Sequence, residues 1–156
     1  MAREIERKFL VLNDAWRAVA GAPRRVRQGY LAMTDKAVMR VRIVDEDAAF
    51  ITIKSNEPGR SRDEYEYEVP VADAAALLKL CVESVIDKQR YEVPAGDNLT
   101  WEVDVFAGDN DGLVIAEIEL PDENTAFARP AWIGQEVTED GRYYNAALSR
   151  RAYKLW

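Results

Sequence analysis

Charged side chains occupy alternate positions in several short segments of this 156-residue chain. Clustered carboxylates are the ligands that Mg²⁺ and Mn²⁺ prefer. Clustered arginines and lysines bind polyanions, because a guanidinium group matches two oxygens of one phosphate. Together they predict a metal ion and a phosphate chain held side by side, which is what phosphoryl transfer needs. The segments are Glu4/Glu6/Lys8, Arg40/Arg42, Thr52/Lys54, Glu64/Glu66/Glu68, Lys88/Arg90, Glu102/Asp104 and Glu117/Glu119.

A spacing of two places these charges on one face of β-strands, because successive side chains of a strand point to opposite sides of the sheet. The residues between them are mostly apolar, as at Val41 and Ile43 or at Val103 and Val105. One charged pair alone is ordinarily a solvated strand face, but seven in phase along one short chain are harder to explain that way. A charged barrel interior would reverse the usual small barrel, whose interior is filled by apolar side chains.

Composition excludes several other kinds of site. The chain has no histidine, which removes Ser-His-Asp and Cys-His catalysis and every imidazole metal site. A net charge of −7 argues against a nucleic-acid surface. No apolar run approaches the roughly 18 residues of a spanning helix, and the first residues lack a signal-peptide profile. With Cys81 as its single cysteine, the chain is expected to be one cytoplasmic domain, residues 1–156, without membrane or nucleic-acid partners.

Alternation and turn residues predict eight strands and a few helices. The strands are predicted at 2–11, 25–34, 37–45, 48–55, 62–70, 84–93, 99–107 and 113–121. Helices are predicted at 13–20, 73–81 and 141–154, with Asp73 and Asp140 as caps of the second and third. Short helical turns are expected over 122–138. Turns are expected at 45–47, 56–61 and 108–112.

Strands joined by short turns form an antiparallel sheet whose charged faces must all point the same way. An open sheet would leave that face in solvent, whereas a closed barrel would enclose it as a charged tunnel. The residues leave both arrangements open, but the number of charges on one face favours enclosure. We therefore expect an α+β, mainly β fold: a closed eight-stranded antiparallel barrel with a charged interior and a few helices packed outside.

The ordered set of motifs resembles the CYTH superfamily, the triphosphate tunnel metalloenzymes. Residues 4–8, Glu-Ile-Glu-Arg-Lys, resemble its ExExK signature, which alone would be a weak pattern. The resemblance continues, in order, through Gln28-Gly29-Tyr30, Arg40-Val41-Arg42, Thr52-Ile53-Lys54, Glu64 to Glu68, Lys88 to Tyr91, Trp101 to Phe106, Ala116 to Glu119, Glu136 to Thr138 and Arg142-Tyr143. It covers nearly the whole chain, and the short length is similar to bacterial inorganic triphosphatases.

The resemblance implies an eight-stranded tunnel that binds a triphosphate chain, and it implies a role for each matching residue. The implied phosphate ligands are Lys8, Arg40, Arg42, Lys54, Lys88 and Arg90. The implied ligands of Mg²⁺ or Mn²⁺ are Glu4, Glu6, Glu117 and Glu119. Glu64, Glu66 and Asp104 are expected to complete a second metal site or to position water. Tyr30 and Lys54 are expected to form a catalytic dyad that helps the leaving group or the proton transfer.

The expected reaction is hydrolysis of tripolyphosphate to pyrophosphate and phosphate, by a monomer or homodimer. Relatives specific for thiamine triphosphate carry an aromatic residue two positions before the arginine pair, where this chain has Val38. The alternatives are an adenylyl cyclase of class IV type, a thiamine- or nucleoside-triphosphatase, and a non-catalytic polyphosphate-binding module. The module is disfavoured because pure anion binding gains nothing from the glutamates.

Overall fold

A computed structural model describes residues 2–56 and 61–156 of the chain, apart from the side chain of Ala2. The predicted turn over 56–61 falls mostly on residues 57–60, outside these ranges. The described strands are β1 (Ala2–Val11), β2 (Arg24–Met33), β3 (Ala37–Val44), β4 (Ala48–Ser55), β5 (Ser61–Val69), β6 (Ile86–Gly96), β7 (Leu99–Phe106), β8 (Val114–Glu119) and β9 (Ile133–Glu136).

The first eight strands close into an antiparallel barrel, which confirms the predicted enclosure. Their order around the barrel is β5, β4, β3, β2, β6, β7, β8 and β1, and β1 also pairs with β5. Closure requires β1 to serve two partners. Its first half pairs with β5, where Glu4 lies opposite Arg62, and its second half pairs with β8, where Lys8 lies opposite Glu117.

A ninth strand lies outside the barrel and corrects the expectation of helical turns over residues 122–138. Strand β9 pairs with the end of β1, with Phe9 opposite Glu136. A Cβ atom at Gly134 would come within 3.1 Å of the carbonyl oxygen of Leu10, so glycine permits this close approach. Four residues show too little alternation to be recognised as a strand from sequence.

The helices are shorter than predicted. They comprise 3-10 turns at Ala15–Val19, Gly108–Asn110, Gly141–Tyr143 and Tyr153–Leu155, helix α1 (Val71–Leu78) and helix α2 (Asn145–Arg150). Asp73 is not a cap, because α1 begins after Pro70 and Asp73 lies in its first turn. Asp140 is a cap, since its side chain accepts a hydrogen bond from the Arg142 N–H, but it caps one 3-10 turn instead of a long helix.

The predicted turn over 45–47 is a tight hairpin with two residues in the left-handed region. Asp45 and Glu46 have φ angles of 53° and 60°, the geometry of a type I′ turn. Side chains offset the strain. Asp45 accepts a hydrogen bond from the Arg25 N–H, and Glu46 accepts two from Arg27.

The hydrophobic core lies outside the barrel wall, between the outward strand faces and the segments that cover them. One cluster packs Phe9, Trp101 and Ile118 of the wall against Trp16 and Trp132 of the covering segments. A second cluster packs α1 onto β3 and β4. The outward face is therefore the buried apolar face, as the alternation predicted. The second cluster comprises Val41, Ile43, Ala49, Ala74 and Leu78.

The C-terminal segment closes one end of the barrel. Ile86, Phe106 and Ile115 alternate in phase with the charged residues of β6, β7 and β8, so they point inward. They pack in one cluster with Tyr143 and Leu148. The barrel interior is thus apolar at the end that this segment covers and charged elsewhere. Within residues 2–56 and 61–156, no helix has the length and apolarity needed to cross a membrane.

Candidate active site

The barrel encloses a charged cavity of about 260 Å³. Seven acidic and seven basic side chains line it, together with Tyr30, Val38, Thr52, Asn56, Tyr144, Asn145 and Ala146. The structure brings every sequence-predicted site residue to this lining except Asp104. The charged residues are Glu4, Glu6, Glu64, Glu66, Glu102, Glu117 and Glu119, with Lys8, Arg40, Arg42, Lys54, Arg62, Lys88 and Arg90.

A basic wall is formed by β3 and β6, which flank β2. Arg40 and Arg42 come from β3, and Lys88 and Arg90 come from β6. Burial, with a smaller contribution from the neighbouring charges of Arg40 and Arg90, lowers the pKa of Arg42 to about 9. Among the described residues no carboxylate forms an ion pair with Arg42, whose Nε donates to Oε1 of Gln28 at 2.9 Å. This wall therefore holds concentrated, incompletely balanced positive charge.

Asp104 lies behind the basic wall. It is fully buried, and its carboxylate accepts from Lys88 at 2.7 Å and from two nitrogens of Arg90 at 2.7 and 2.8 Å. Burial alone would raise the pKa of Asp104, but the charges of Arg90 and Lys88 and the hydrogen bonds outweigh burial and lower it. For Lys88, burial lowers the pKa and Asp104 opposes that change. Asp104 thus orients two cations and is itself shielded from the cavity.

An acidic wall is formed by β5, β1 and β8, together with Glu102 of β7 at its margin. Cations are interleaved here, since Lys54 lies 2.8 Å from Glu4, and Arg62 lies 3.6 Å from Glu6. Lys8 lies 3.6 Å from Glu117.

The negative charge of Glu119 is disfavoured by its surroundings in this wall. Partial burial raises its pKa to about 6, and the nearby charges of Glu4, Glu64 and Glu6 contribute to the increase. Oxygen donors with unbalanced negative charge fit a hard divalent cation. Within residues 2–56 and 61–156, no three carboxylates are already grouped to hold an ion.

The two residues of the predicted dyad lie on strands separated by β3. Tyr30 is buried on β2 opposite Arg40, whereas Lys54 on β4 lies opposite Glu64. Lys54 contacts Glu4 and Glu64. Both side chains line the same cavity, and their joint action in catalysis stays a prediction.

Several contacts of the cavity were not assigned from sequence. Gln28 was part of a matched motif but received no role, and Tyr144 and Asn145 received no role either. The Tyr144 ring lies 5.0 Å from Nζ of Lys8, and its hydroxyl donates to the carbonyl of Thr138. Asn145 falls within the helix predicted over 141–154, and nothing in its local sequence indicates that it faces the cavity.

A closed β-tunnel whose lumen sets a basic wall against an acidic wall is a protein built to hold a polyanion together with a cation. The family model described as CYTH domain matches residues 2–153, and the chain belongs to this family. Its triphosphate tunnel metalloenzymes depend on a metal ion.

Named relatives agree with this assignment. An inorganic triphosphatase of Acetivibrio thermocellus is 48% identical over 155 residues, which is 99% of this chain and 97% of that protein. An inorganic triphosphatase of Nitrosomonas europaea is 40% identical over 149 residues, 94% of this chain and 96% of that protein. A crystal structure of an inorganic triphosphatase has a TM-score of 0.66 at 38% identity and covers 96% of this chain and 95% of its own.

Proposed function

We propose that this chain hydrolyses inorganic tripolyphosphate to pyrophosphate and phosphate, with Mg²⁺ or Mn²⁺ bound on the acidic wall. The observation that carries the proposal is the separation of unbalanced charge within one cavity. Positive charge is concentrated around Arg42 and negative charge around Glu119. A phosphate chain against the first and a cation against the second would balance both. The names of the relatives support the same reaction. The single free thiol, Cys81, supports a cytoplasmic location.

Substrate binding falls to the basic wall. The Nε of Arg40 is buried and has no hydrogen-bond acceptor among the described residues. Such an orphaned donor is costly unless an acceptor arrives, and a phosphate oxygen is a suitable one. The proposed phosphate ligands are Arg40, Arg42, Lys88 and Arg90 of this wall, together with Lys8 and Lys54, which lie among the carboxylates of the acidic wall.

Metal binding falls to the acidic wall, with Glu4, Glu6, Glu117 and Glu119 as ligands. When bound, a divalent cation neutralises phosphate charge and lowers the pKa of an attacking water. Glu64 and Glu66 remain candidates for a second site or for positioning that water. Asp104 was predicted with them, but its contacts with Lys88 and Arg90 favour a role in holding the phosphate ligands.

The catalytic groups proposed beside the transferred phosphate are Tyr30 and Lys54, which line the cavity from β2 and β4. Lys54 contacts Glu4 and Glu64, so its charge lies at the border between the two walls. We propose that Lys54 either stabilises the negative charge that develops on the leaving pyrophosphate or transfers a proton to that group. The Tyr30 hydroxyl would act together with Lys54.

The size of the cavity favours inorganic tripolyphosphate over a nucleotide or thiamine ester. Its volume of about 260 Å³ is below the range of pockets for drug-sized ligands. Val38 offers no aromatic surface for stacking where it meets the cavity. The C-terminal segment covers the apolar end, so a base or thiazole would have to lie at the open end.

The proposal is tested with tripolyphosphate, ATP, thiamine triphosphate and pyrophosphate, each with Mg²⁺ or Mn²⁺, while orthophosphate and cyclic AMP are measured. We expect metal-dependent orthophosphate release, fastest from tripolyphosphate. Glu4→Gln should abolish this release but retain tripolyphosphate binding in metal-free buffer. Arg42→Ala should lower kcat/KM about 100-fold by weakening the phosphate site.

Two results would overturn the proposal. Exclusive formation of cyclic AMP from ATP would make the chain a cyclase in the same fold. Tight binding of tripolyphosphate without any metal-dependent release would make it a binding module. Circular dichroism of each variant serves as the control for folding.

A further inference from the structure

Two side-chain amides, the half-buried Asn145 and the buried Gln28, join the C-terminal segment to the basic wall. Oδ1 of Asn145 accepts a hydrogen bond from Nε2 of Gln28 at 3.1 Å and another from Nζ of Lys88 at 3.1 Å. Oε1 of Gln28 in turn accepts from Nε of Arg42 at 2.9 Å. Gln28 is fully buried, and Lys88 is 1% exposed. The Asn145 side chain thus contacts one proposed phosphate ligand, Lys88, and the residue that supports another, Arg42.

Asn145 does not make the contact expected of an asparagine at a helix start. The cap position of α2 is occupied by Tyr144, whose side chain makes no cap hydrogen bond. The Asn145 amide is instead directed at Gln28 and Lys88 on neighbouring strands β2 and β6. Asn145 also lines the charged cavity. Its position is therefore better explained by the barrel interior than by the helix it begins.

The hydrogen bond from Gln28 fixes which way the Gln28 amide faces. An amide has a donor end and an acceptor end, and Asn145 receives the donor. The acceptor then faces Nε of Arg42. In the reversed amide, an NH₂ group would meet the N–H of Arg42, and the guanidinium would lose its anchor. With the amide in its present orientation, the four remaining N–H donors of Arg42 have no hydrogen-bond acceptor among the described residues and are available to phosphate.

We propose that Asn145 is a positioning residue for the phosphate site, acting on Arg42 through Gln28 and on Lys88 directly. This inference rests on the proposed function for its substrate, inorganic tripolyphosphate. The cations of the basic wall repel one another, so they need fixed acceptors to stay together. Asp104 supplies one on the barrel wall, and Asn145 supplies another from the C-terminal segment.

The test compares Asn145→Ala, Gln28→Ala and the double variant by calorimetric titration of inorganic tripolyphosphate in metal-free buffer. We expect about tenfold weaker binding in Asn145→Ala, because hydrogen bonds to charged groups are lost. The affinity of the double variant should fall by less than the product of the two single fold-losses, because both residues act on Arg42 through the same Gln28–Asn145 hydrogen bond. In the hydrolysis assay, Asn145→Ala should raise KM about tenfold and change kcat less than about threefold.

The matched control is Asn110→Ala. Asn110 is buried and, like Asn145, makes a side-chain hydrogen bond that joins the C-terminal segment to the barrel, because its Oδ1 accepts from the Tyr153 N–H at 2.8 Å. It does not line the cavity. Its tripolyphosphate affinity should equal that of the unmodified chain. Equal weakening by Asn110→Ala, unchanged binding in Asn145→Ala, or losses that multiply would each overturn the inference. A chain that binds tripolyphosphate without hydrolysing it would overturn the proposed function alone, and the binding comparison would still decide the role of Asn145.

Discussion

Each wall of the cavity gathers charges of one sign, but the two walls differ in how the repulsion between those charges is reduced. The basic wall has a buried acid behind it, since Asp104 contacts both Lys88 and Arg90. Among the residues that the structure describes, no cation forms an ion pair with Glu119, whose pKa rises to about 6 through partial burial and its acidic neighbours. The basic wall is therefore largely organised before substrate arrives. The acidic wall is left with a charge that a cation must balance.

This difference indicates that phosphate binding and metal binding require different amounts of side-chain reorganisation. A phosphate chain meets cations already held by Asp104, Gln28 and Asn145, so binding requires little reorganisation. The proposed metal ligands Glu4 and Glu6 instead contact Lys54 and Arg62. On the proposed assignment, the phosphate ligands are already organised by the chain, whereas the metal ligands would have to exchange these contacts for the ion.

The largest expected effect comes from removing the support of the basic wall. Asp104→Asn leaves Lys88 and Arg90 buried without their main counter-charge. We expect a loss of about 3 kcal/mol in the free energy of unfolding, measured by urea denaturation. Mn²⁺ affinity, measured by calorimetry, should stay within about twofold, because Asp104 does not line the cavity.

The matched control for this change is Glu102→Gln. Glu102 also pairs with Arg90, at 3.2 Å, but its side chain is 34% exposed. It should cost less than about 1 kcal/mol. A tenfold fall in Mn²⁺ affinity for Asp104→Asn, with stability retained, would instead assign Asp104 to the metal.

A smaller effect is expected on the acidic wall and should depend on pH. The pKa of Glu119 rises from its ordinary value of 4.5 to about 6 on folding, so the folded chain holds the proton more tightly. Its contribution to stability is complete below pH 4.5 and is lost as pH rises through 6. Without metal, Glu119→Gln should therefore melt a few degrees higher than the unmodified chain at pH 8 and equally at pH 4.5.

The comparison is made by differential scanning calorimetry with and without Mn²⁺. Added Mn²⁺ should raise the Tm of the unmodified chain at pH 8 and have much less effect on Glu119→Gln. A variant that is less stable than the unmodified chain at pH 8 would show that Glu119 is already balanced. That result would contradict the proposed difference between a basic wall with a buried counter-charge and an acidic wall without one.

The smallest effect on activity is expected from an ion pair outside the barrel. Arg7 points outward and donates to Glu136 of β9 at 2.8 Å, and this hydrogen bond chiefly lowers the pKa of Glu136 to about 2. The stability it supplies is present above pH 4.5 and is lost as pH falls through 2. Glu136→Gln should cost about 1 kcal/mol at pH 7 and leave kcat/KM within about twofold. A tenfold loss of kcat/KM would show that the outer face also sets the geometry of the lumen.

Much of the fold could be predicted because the alternation of charged and apolar residues within each strand also fixes how all the strands are oriented in the sheet. Once Glu4, Arg42 and Lys88 share one face, every strand bearing them must point that face the same way. Closure was favoured by charge density and is confirmed by the double pairing of β1. The resemblance to a family added roles that alternation alone does not distinguish.

What could not be predicted depends on contacts between distant segments. Asp104 has the same spacing as the cavity acids, and only its depth between Lys88 and Arg90 separates it from them. Asn145 is 117 residues from Gln28, and it falls inside a segment predicted to be helical. Strand β9 exists because β1 offers it an edge, which its own four residues do not reveal.

Two of the three hydrophobic clusters lie on the outer surface of the barrel wall, so most of the packing that keeps this chain folded is separated from the surface that lines the cavity. Most lumen side chains point away from Phe9, Trp101 and Ile118, so exchanging one need not open a void in the packing. A barrel with a conventional apolar filling has no such freedom. This architecture can acquire new substrates by successive replacement of its lining, while its folding remains governed by residues that never meet a ligand.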